Sequence, residues 1–367
     1  MALLLRGHEA SQRAFAAEIL LRGSPVGLPS ETVYGLAALA FDARALAQIF
    51  RIKERPFFDP LIVHVHPDSD PLEVAEKISD SEKILMAKFW PGPLTLLVRK
   101  NLKNVPDLCT SGLPEVAMRS PSHEVFQDIL LRVGQPLAAP SANLFGRISP
   151  VEAQHVIEDL GPKGLEAVVD AGPTKWGLES TIIRVDEENK KLTLLRPGAL
   201  PVEKILECLG REWKISLNPV GAEVVRDSIV PGQMESHYAP FKRSLVVFES
   251  PQSLSQVRET ARKWFYRESD SRLSDQDIVS HCLFFESGLA PIYSELPEGA
   301  ERHFLSVGGN DIEAAAHLFQ KLRELDERED SFGTLIFGAV PPVGSSGLWP
   351  AIRDRLLKAS VNKGQNL

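Results

Sequence analysis

The chain has little of several things that would classify it at once. Its 367 residues hold three cysteines, Cys109, Cys208 and Cys282, far apart and without a C-x-x-C pair. That argues against a disulfide framework or a cysteine zinc site, and it suits a reducing, cytoplasmic setting. No apolar run approaches the ~18–20 residues of a membrane span. Met1–Glu9 carries three leucines but no long apolar region and no small-residue cleavage site, so no signal peptide is expected. Basic charge is in deficit: 41 Lys and Arg stand against 49 Asp and Glu, giving a formal net charge of -8. A chain that grips nucleic acid with its whole surface is thereby disfavoured, although a local basic cleft could still hold a polyphosphate. Low-complexity tracts and repeats of solenoid or propeller period are absent. So are a G-x-S-x-G elbow and an H-E-x-x-H pair. The nearest approach to a Walker A loop, Gly172-Pro173-Thr174-Lys175, lacks its spacing.

What is present is ordinary globular composition, 43% apolar and 25% charged, at a length that suits two domains. Phe15, Ile19 and Leu20 share one face of a helix over Glu9–Leu21. Asp42 is expected to cap a helix carrying Leu46, Ile49 and Phe50 and ended by Pro56. Strands are expected at Leu61–Val65, Leu94–Val98, Val116–Met118, Leu137–Ala139, Ala167–Asp170, Thr181–Val185 and Leu192–Leu195. Ser149-Pro150-Val151-Glu152 reads as a capping box opening a helix to Leu160, and Val202–Leu209 as a further helix. The irregular beat of strands and helices predicts an α/β domain with a mixed, curved sheet rather than a doubly wound one.

Periodicity fades between about Asn218 and Lys242, in a stretch ending His237-Tyr238-Ala239-Pro240. We therefore divide the chain into a first domain at 1–217, a linker at 218–242 and a second domain at 243–367. The second domain is expected to be a small Rossmann-like α/β unit. Its strands are Leu245–Phe248, Ile278–Phe285 and Thr334–Phe337, and its helices Leu254–Phe265, Ile312–Leu325 and Trp349–Ala359. No G-x-G-x-x-G joins strand to helix there, so nothing points to a dinucleotide.

Three polar clusters mark the first domain. Pro29–Leu36 is a glycine-containing polar loop, readable as a substrate loop or as a plain turn. Lys53-Glu54-Arg55-Pro56, followed by Asp59, sets two cations where they could converge on phosphate oxygens or simply stabilise a helix end. Beside it, Leu61-Ile62-Val63-His64-Val65-His66 puts the aliphatic residues on one strand face and both histidines on the other. Two histidines can begin a metal site, but no third ligand is evident, and a cleft-facing or core histidine fits better. The third cluster, Ala138–Asn143, leaves a strand on small residues that let a ligand approach the backbone. Glu179-Ser180-Thr181 and Arg196-Pro197-Gly198 follow.

In this order the clusters resemble the signature of the YrdC-type family, over residues from about 10 to 210. The pattern runs S-E-T-V-Y-G-L, K-x-R-P, L-I-V-H, P-S-A-N, S-P, E-S-T and R-P-G. The H-Y-A-P linker and α/β tail resemble the long form of the threonylcarbamoyl-AMP synthase family. The resemblance implies an enzyme joining L-threonine, bicarbonate and ATP into threonylcarbamoyl-AMP and pyrophosphate, with Mg2+ on the phosphates. The product would feed tRNA modification by separate threonylcarbamoyl transferase proteins. It further implies that L-threonine meets Thr32, His64, Arg119, Ala139 and Ser180. ATP would meet Lys53, Arg55, Asp59, Ser141, Asn143, Ser149 and Arg196, with Tyr238 folding over the nucleotide as part of a lid. No protein side chain is assigned to the metal. Two positions depart from the family pattern. Asp59 replaces a usual Asn, putting a carboxylate that needs a partner near phosphate, and Glu115 replaces a small hydroxyl. Rival readings are an RNA-binding module, disfavoured by the acidic chain, and a carbamoyl transferase of the hydrogenase-maturation type, disfavoured by the missing cysteine-rich segments.

Overall fold

In the computed structural model of this chain, residues 2–217, 230–231, 238–240, 244–248, 279–284, 301–327, 335–339 and 344–360 are described. The fold divides into two units, Met1–Phe145 with Ser149–Glu235, and Gly146–Ile148 with Ser236–Leu367.

The N-terminal unit opens with β1 (Leu3–Arg6), α1 (Ala10–Leu21), β2 (Val26–Leu28), β3 (Gly35–Leu39), α2 (Ala43–Lys53) and β4 (Ile62–His64). Next come α3 (Asp80–Phe89), β5 (Leu94–Arg99), α4 (Asp107–Thr110), β6 (Glu115–Arg119), α5 (Glu124–Val133) and β7 (Leu137–Ala138). It ends with α6 (Ala153–Leu160), β8 (Ala167–Asp170), β9 (Thr181–Asp186), β10 (Lys191–Arg196), α7 (Val202–Leu209) and β11 (Lys214–Leu217). These strands form one sheet in the order β1-β8-β2-β3-β7-β4-β6-β5-β9-β10-β11. Parallel neighbours such as β4 and β6 alternate with antiparallel ones such as β5 and β6, so the sheet is mixed, as the uneven sequence pattern predicts.

Strand alternation divides the apolar residues between two faces. Leu61, Val63 and Val65, Leu94, Leu96 and Val98, and Val116 and Met118 enter the large core beneath the helices. Their neighbours Ile62, Leu97, Ala117 and Ile182 form a smaller apolar floor with Leu195 and Val230. That second face carries the candidate site.

Local signals hold in places and yield in others. Asp42 caps α2 by accepting hydrogen bonds from the backbone N–H of Arg44 (2.8 Å) and Ala45 (3.3 Å). The helix stops at Lys53, before Pro56, because Glu54 turns left-handed at φ 53°. The expected capping box at Ser149 does not form. α6 starts at Ala153 behind Glu152, and the Ser149 hydroxyl instead donates to Glu179 Oε1 at 2.7 Å. A distant carboxylate has outcompeted the local cap. Phe15, expected on the buried face of α1, is exposed, while Ala16, Ile19 and Leu20 are buried.

The C-terminal unit contains β12 (Ser244–Phe248), β13 (Val279–Phe284), β14 (Glu301–Phe304), α8 (Asp311–Glu327), β15 (Leu335–Ala339) and α9 (Trp349–Ala359). Its sheet, ordered β12-β15-β13-β14, is parallel throughout. Parallel strands require crossovers, and α8 leads into β15 as an α/β unit demands. The polar strand β14 was not anticipated, and the helix expected at Leu254–Phe265 lies outside the described residues. Gly146–Ile148 joins this unit: Ala239 N–H donates to Gly146 O (2.9 Å), and Arg147 donates to Pro240 O (2.9 Å).

Candidate active site

The polar residues of the second sheet face follow from the same two-residue period. His64 shares the parity of Ile62 on β4, Arg119 that of Ala117 on β6, and Thr95 that of Leu97 on β5. Ser180, just ahead of β9, shares that of Ile182. β4 and β6 pair in parallel with His64 opposite Arg119, and the Thr95 and Ser180 hydroxyls are 2.7 Å apart. An apolar floor thus ends in a row of buried polar groups.

One side of the row collects the residues expected at the amino acid. Thr32 lies in the turn joining β2 to β3, its hydroxyl 2.8 Å from that of Ser30, which donates to Val33 O at 2.6 Å. His64 is buried, stacks on Phe126 with centroids 5.1 Å apart, and donates from Nδ1 to Ile62 O at 3.1 Å. Burial, and then the charge of Arg119, hold the His64 imidazole well below its ordinary pKa, so it is neutral. The Ala139 N–H donates to Ile62 O (3.0 Å), and its Cβ crowds Gly35, where an added Cβ would approach within 3.2 Å. Arg119 is 3% exposed, yet its guanidinium makes no hydrogen bond among the described residues. Its one ionic neighbour, Glu31 Oε2, is 3.7 Å away. Buried Glu31 Oε1 and Ser120 Oγ are likewise without partners among the described residues. Each such orphan costs about 1–3 kcal/mol unless a ligand satisfies it.

The other side gathers the cations expected at the nucleotide, and their donors are engaged. Lys53 Nζ donates to Ser141 O (2.6 Å) and Asn143 O (2.5 Å), tying α2 to the loop after β7. Burial foremost, with Arg55 nearby, pulls its pKa well down. Arg55 donates to the carbonyls of Asp59 (3.0 Å) and Pro60 (2.7 Å) and pairs with Asp59 Oδ2 at 2.9 Å. The Asp59 carboxylate is therefore partnered by protein. Burial raises its pKa, opposed by Arg55, Lys53 and Arg196. Arg196 donates to Ser180 O (3.0 Å), Ser180 Oγ (3.1 Å) and Pro231 O (3.0 Å). Gly198 is obligatory beside it, since an added Cβ would sit 2.4 Å from Glu179 O. The other departure, Glu115, is bound by Arg184 through Nε at 3.0 Å, so its charge is met on β9.

Tyr238 belongs to the C-terminal unit. It is 1% exposed, adopts φ 66°, stacks on Phe319 (5.3 Å) and lies under Arg355 (5.5 Å). Among the described residues no group of three or more His, Cys, Asp or Glu could hold a metal ion. None of their helices is long and apolar enough to cross a membrane. Sequence reasoning missed Glu31, Thr95 and Ser120 as site residues. Glu31 stood inside a recognised loop, but nothing local distinguished its buried carboxylate from a solvated one.

The chain matches two family models, one described as "Telomere recombination" over residues 18–198 and one described as "Threonylcarbamoyl-AMP synthase, C-terminal domain" over residues 200–361. It is similar to the threonylcarbamoyl-AMP synthase of Pyrococcus abyssi, 36% identical over 94% of this chain and 93% of the relative. A Bacillus subtilis threonylcarbamoyl-AMP synthase is 32% identical over 95% of this chain and 93% of the relative. In three dimensions the chain resembles the crystal structure of P. abyssi Sua5 complexed with L-threonine. The TM-score is 0.80 at 33% identity, covering 99% of this chain and 98% of the other.

Proposed function

This chain belongs to the threonylcarbamoyl-AMP synthase family, and from that premise we propose that it is an L-threonylcarbamoyladenylate synthase, a nucleotidyltransferase that joins L-threonine, bicarbonate and ATP. The observation that carries the reading is Arg119: a buried guanidinium whose donors are unengaged among the described residues suits a bidentate carboxylate. In this reading the threonine carboxylate meets Arg119, and Thr32, neutral His64, Ala139 and Ser180 surround the rest of the molecule. The threonine ammonium releases a proton to solvent, the resulting amine attacks the bicarbonate carbon and water leaves, giving a carbamate. A carbamate oxygen then attacks the α-phosphorus of ATP, and pyrophosphate departs. No protein nucleophile is needed, so the chain acts by positioning and by fixed charge.

Mg2+ enters on the phosphates of ATP, as part of that substrate. Asp59 would be a poor ligand for it while paired with Arg55. Lys53, Arg55 and Arg196 shape the nucleotide side together with Ser141, Asn143 and Ser149. The product goes to tRNA threonylcarbamoyl transferase proteins in the cytoplasm. Release of pyrophosphate, measured with each substrate omitted in turn, tests the proposal. It should require threonine and bicarbonate as well as ATP; a rate indifferent to threonine rejects it.

A further inference from the structure

We propose that Glu31 receives the α-ammonium group of the amino-acid substrate, forming with Arg119 a cradle for the zwitterion. The inference rests on the function proposed above and names a specificity-determining residue for it. Glu31 is 4% exposed in the loop between β2 and β3, next to Thr32. Its backbone is fixed by the Trp176 N–H, which donates to Glu31 O at 3.0 Å. Its Oε2 accepts from the Ser122 N–H at 3.1 Å and lies 3.7 Å from Arg119. Its Oε1 has no partner among the described residues, nor has Arg119 Nε, nor the adjacent Ser120 Oγ.

A purely structural pair would close to ~2.7–2.9 Å and use both oxygens, since two buried charges are otherwise costly. This pair stays apart and leaves an acceptor on the carboxylate and donors on the guanidinium. An α-amino acid offers the complement: an ammonium and a carboxylate joined through a single carbon. A zwitterion alone answers both sets with a full opposite charge. A site built on a carboxylate that holds N–H donors also rejects an analogue lacking them.

The test compares L-threonine with its α-hydroxy analogue, 2,3-dihydroxybutanoate. Binding to the full chain is measured by calorimetry, and both are assayed for ATP-dependent pyrophosphate release. The native chain should prefer threonine by about a hundredfold or more, and Glu31→Gln should lower threonine affinity about ten- to a hundredfold. KM for ATP should stay within about twofold, and the preference over the analogue should shrink toward unity, which a merely structural role does not produce. Unchanged affinity and preference in Glu31→Gln overturn the inference. Should that variant fail to fold, Glu31→Asp, which keeps the charge, must retain the preference; its loss overturns the inference equally. A native chain that neither binds threonine nor needs it for pyrophosphate release overturns the proposed function, and this inference with it.

Discussion

Arg119 and Arg196 are buried to nearly the same degree, 3% and 4% exposed, on one face of one sheet, yet they differ in what they touch. Arg196 donates to two backbone carbonyls and the Ser180 hydroxyl, while Arg119 donates to nothing among the described residues. Lys53 and Arg55 follow Arg196, each ending on loop carbonyls. A guanidinium without hydrogen bonds is held by the strand alone and is ready for a ligand. A cation that fastens carbonyls is part of the frame, and it orders the loops on which a ligand rests. In the function proposed above, the amino-acid side is thus a preformed receptor. The nucleotide side is a braced rim, and any phosphate must either meet what the rim presents or displace a carbonyl from it.

The largest effect that could break this contrast comes from Arg119→Gln. It removes the carboxylate partner and leaves Glu31 buried without its counter-charge. Losing one member of a buried charge pair costs about 2–5 kcal/mol, so kcat/KM for threonine should fall on the order of a hundred- to a thousandfold. KM for ATP should barely move. Steady-state kinetics with each substrate varied decide this, and an equal rise in both constants would show that Arg119 is frame as well.

A smaller effect separates frame from ligand on the other side. Lys53→Met keeps length and removes the bonds to Ser141 and Asn143. The freed segment runs from Ala139, proposed at threonine, to Asn143, proposed at ATP. If Lys53 braces that loop, KM for both substrates should rise together, by about tenfold for the loss of two buried hydrogen bonds partly compensated by packing. A rise confined to ATP would return Lys53 to the phosphate contact that the family resemblance implies.

The same contrast explains how far the sequence could be read. Parity on β4 was legible because alternating Leu61, Val63 and Val65 leave Ile62 and His64 with the other parity, and Ile62 does lie in the second apolar cluster. The order of motifs located the loops of the site, since spacing along a chain survives without coordinates. What stayed hidden were partners set by distant contacts. Ser149 looked like a cap until Glu179, 30 residues away, took its hydroxyl. Asp59 and Glu115 looked unsuited to their places because Arg55's turn and Arg184's strand were not in view. β14 was missed because Glu301-Arg302-His303 reads as polar loop, whereas pairing with β13 makes it a strand.

Acid gives the finest resolution of the two sides. His64 is held below its ordinary value of 6.5 by burial and by Arg119, and His123 is lowered by burial too. Below pH 6.5 the unfolded chain takes up protons that the folded one refuses, so stability must fall as pH falls through that window. The slope is at most about 1.4 kcal/mol per pH unit for each histidine. Asp59, whose carboxyl is raised by burial, contributes with the opposite sign, because the fold then binds the proton more readily. The net slope alone is therefore ambiguous, but the difference between variants is not. Urea unfolding at pH 7.5, 6.5 and 5.5 should show a shallower acid loss in His64→Gln than in the native chain, and an unaltered one in Ser141→Ala, which removes no titrating group. If Ser141→Ala flattens the slope as much, the two sides share one titrating network, and receptor and frame are no longer separate parts.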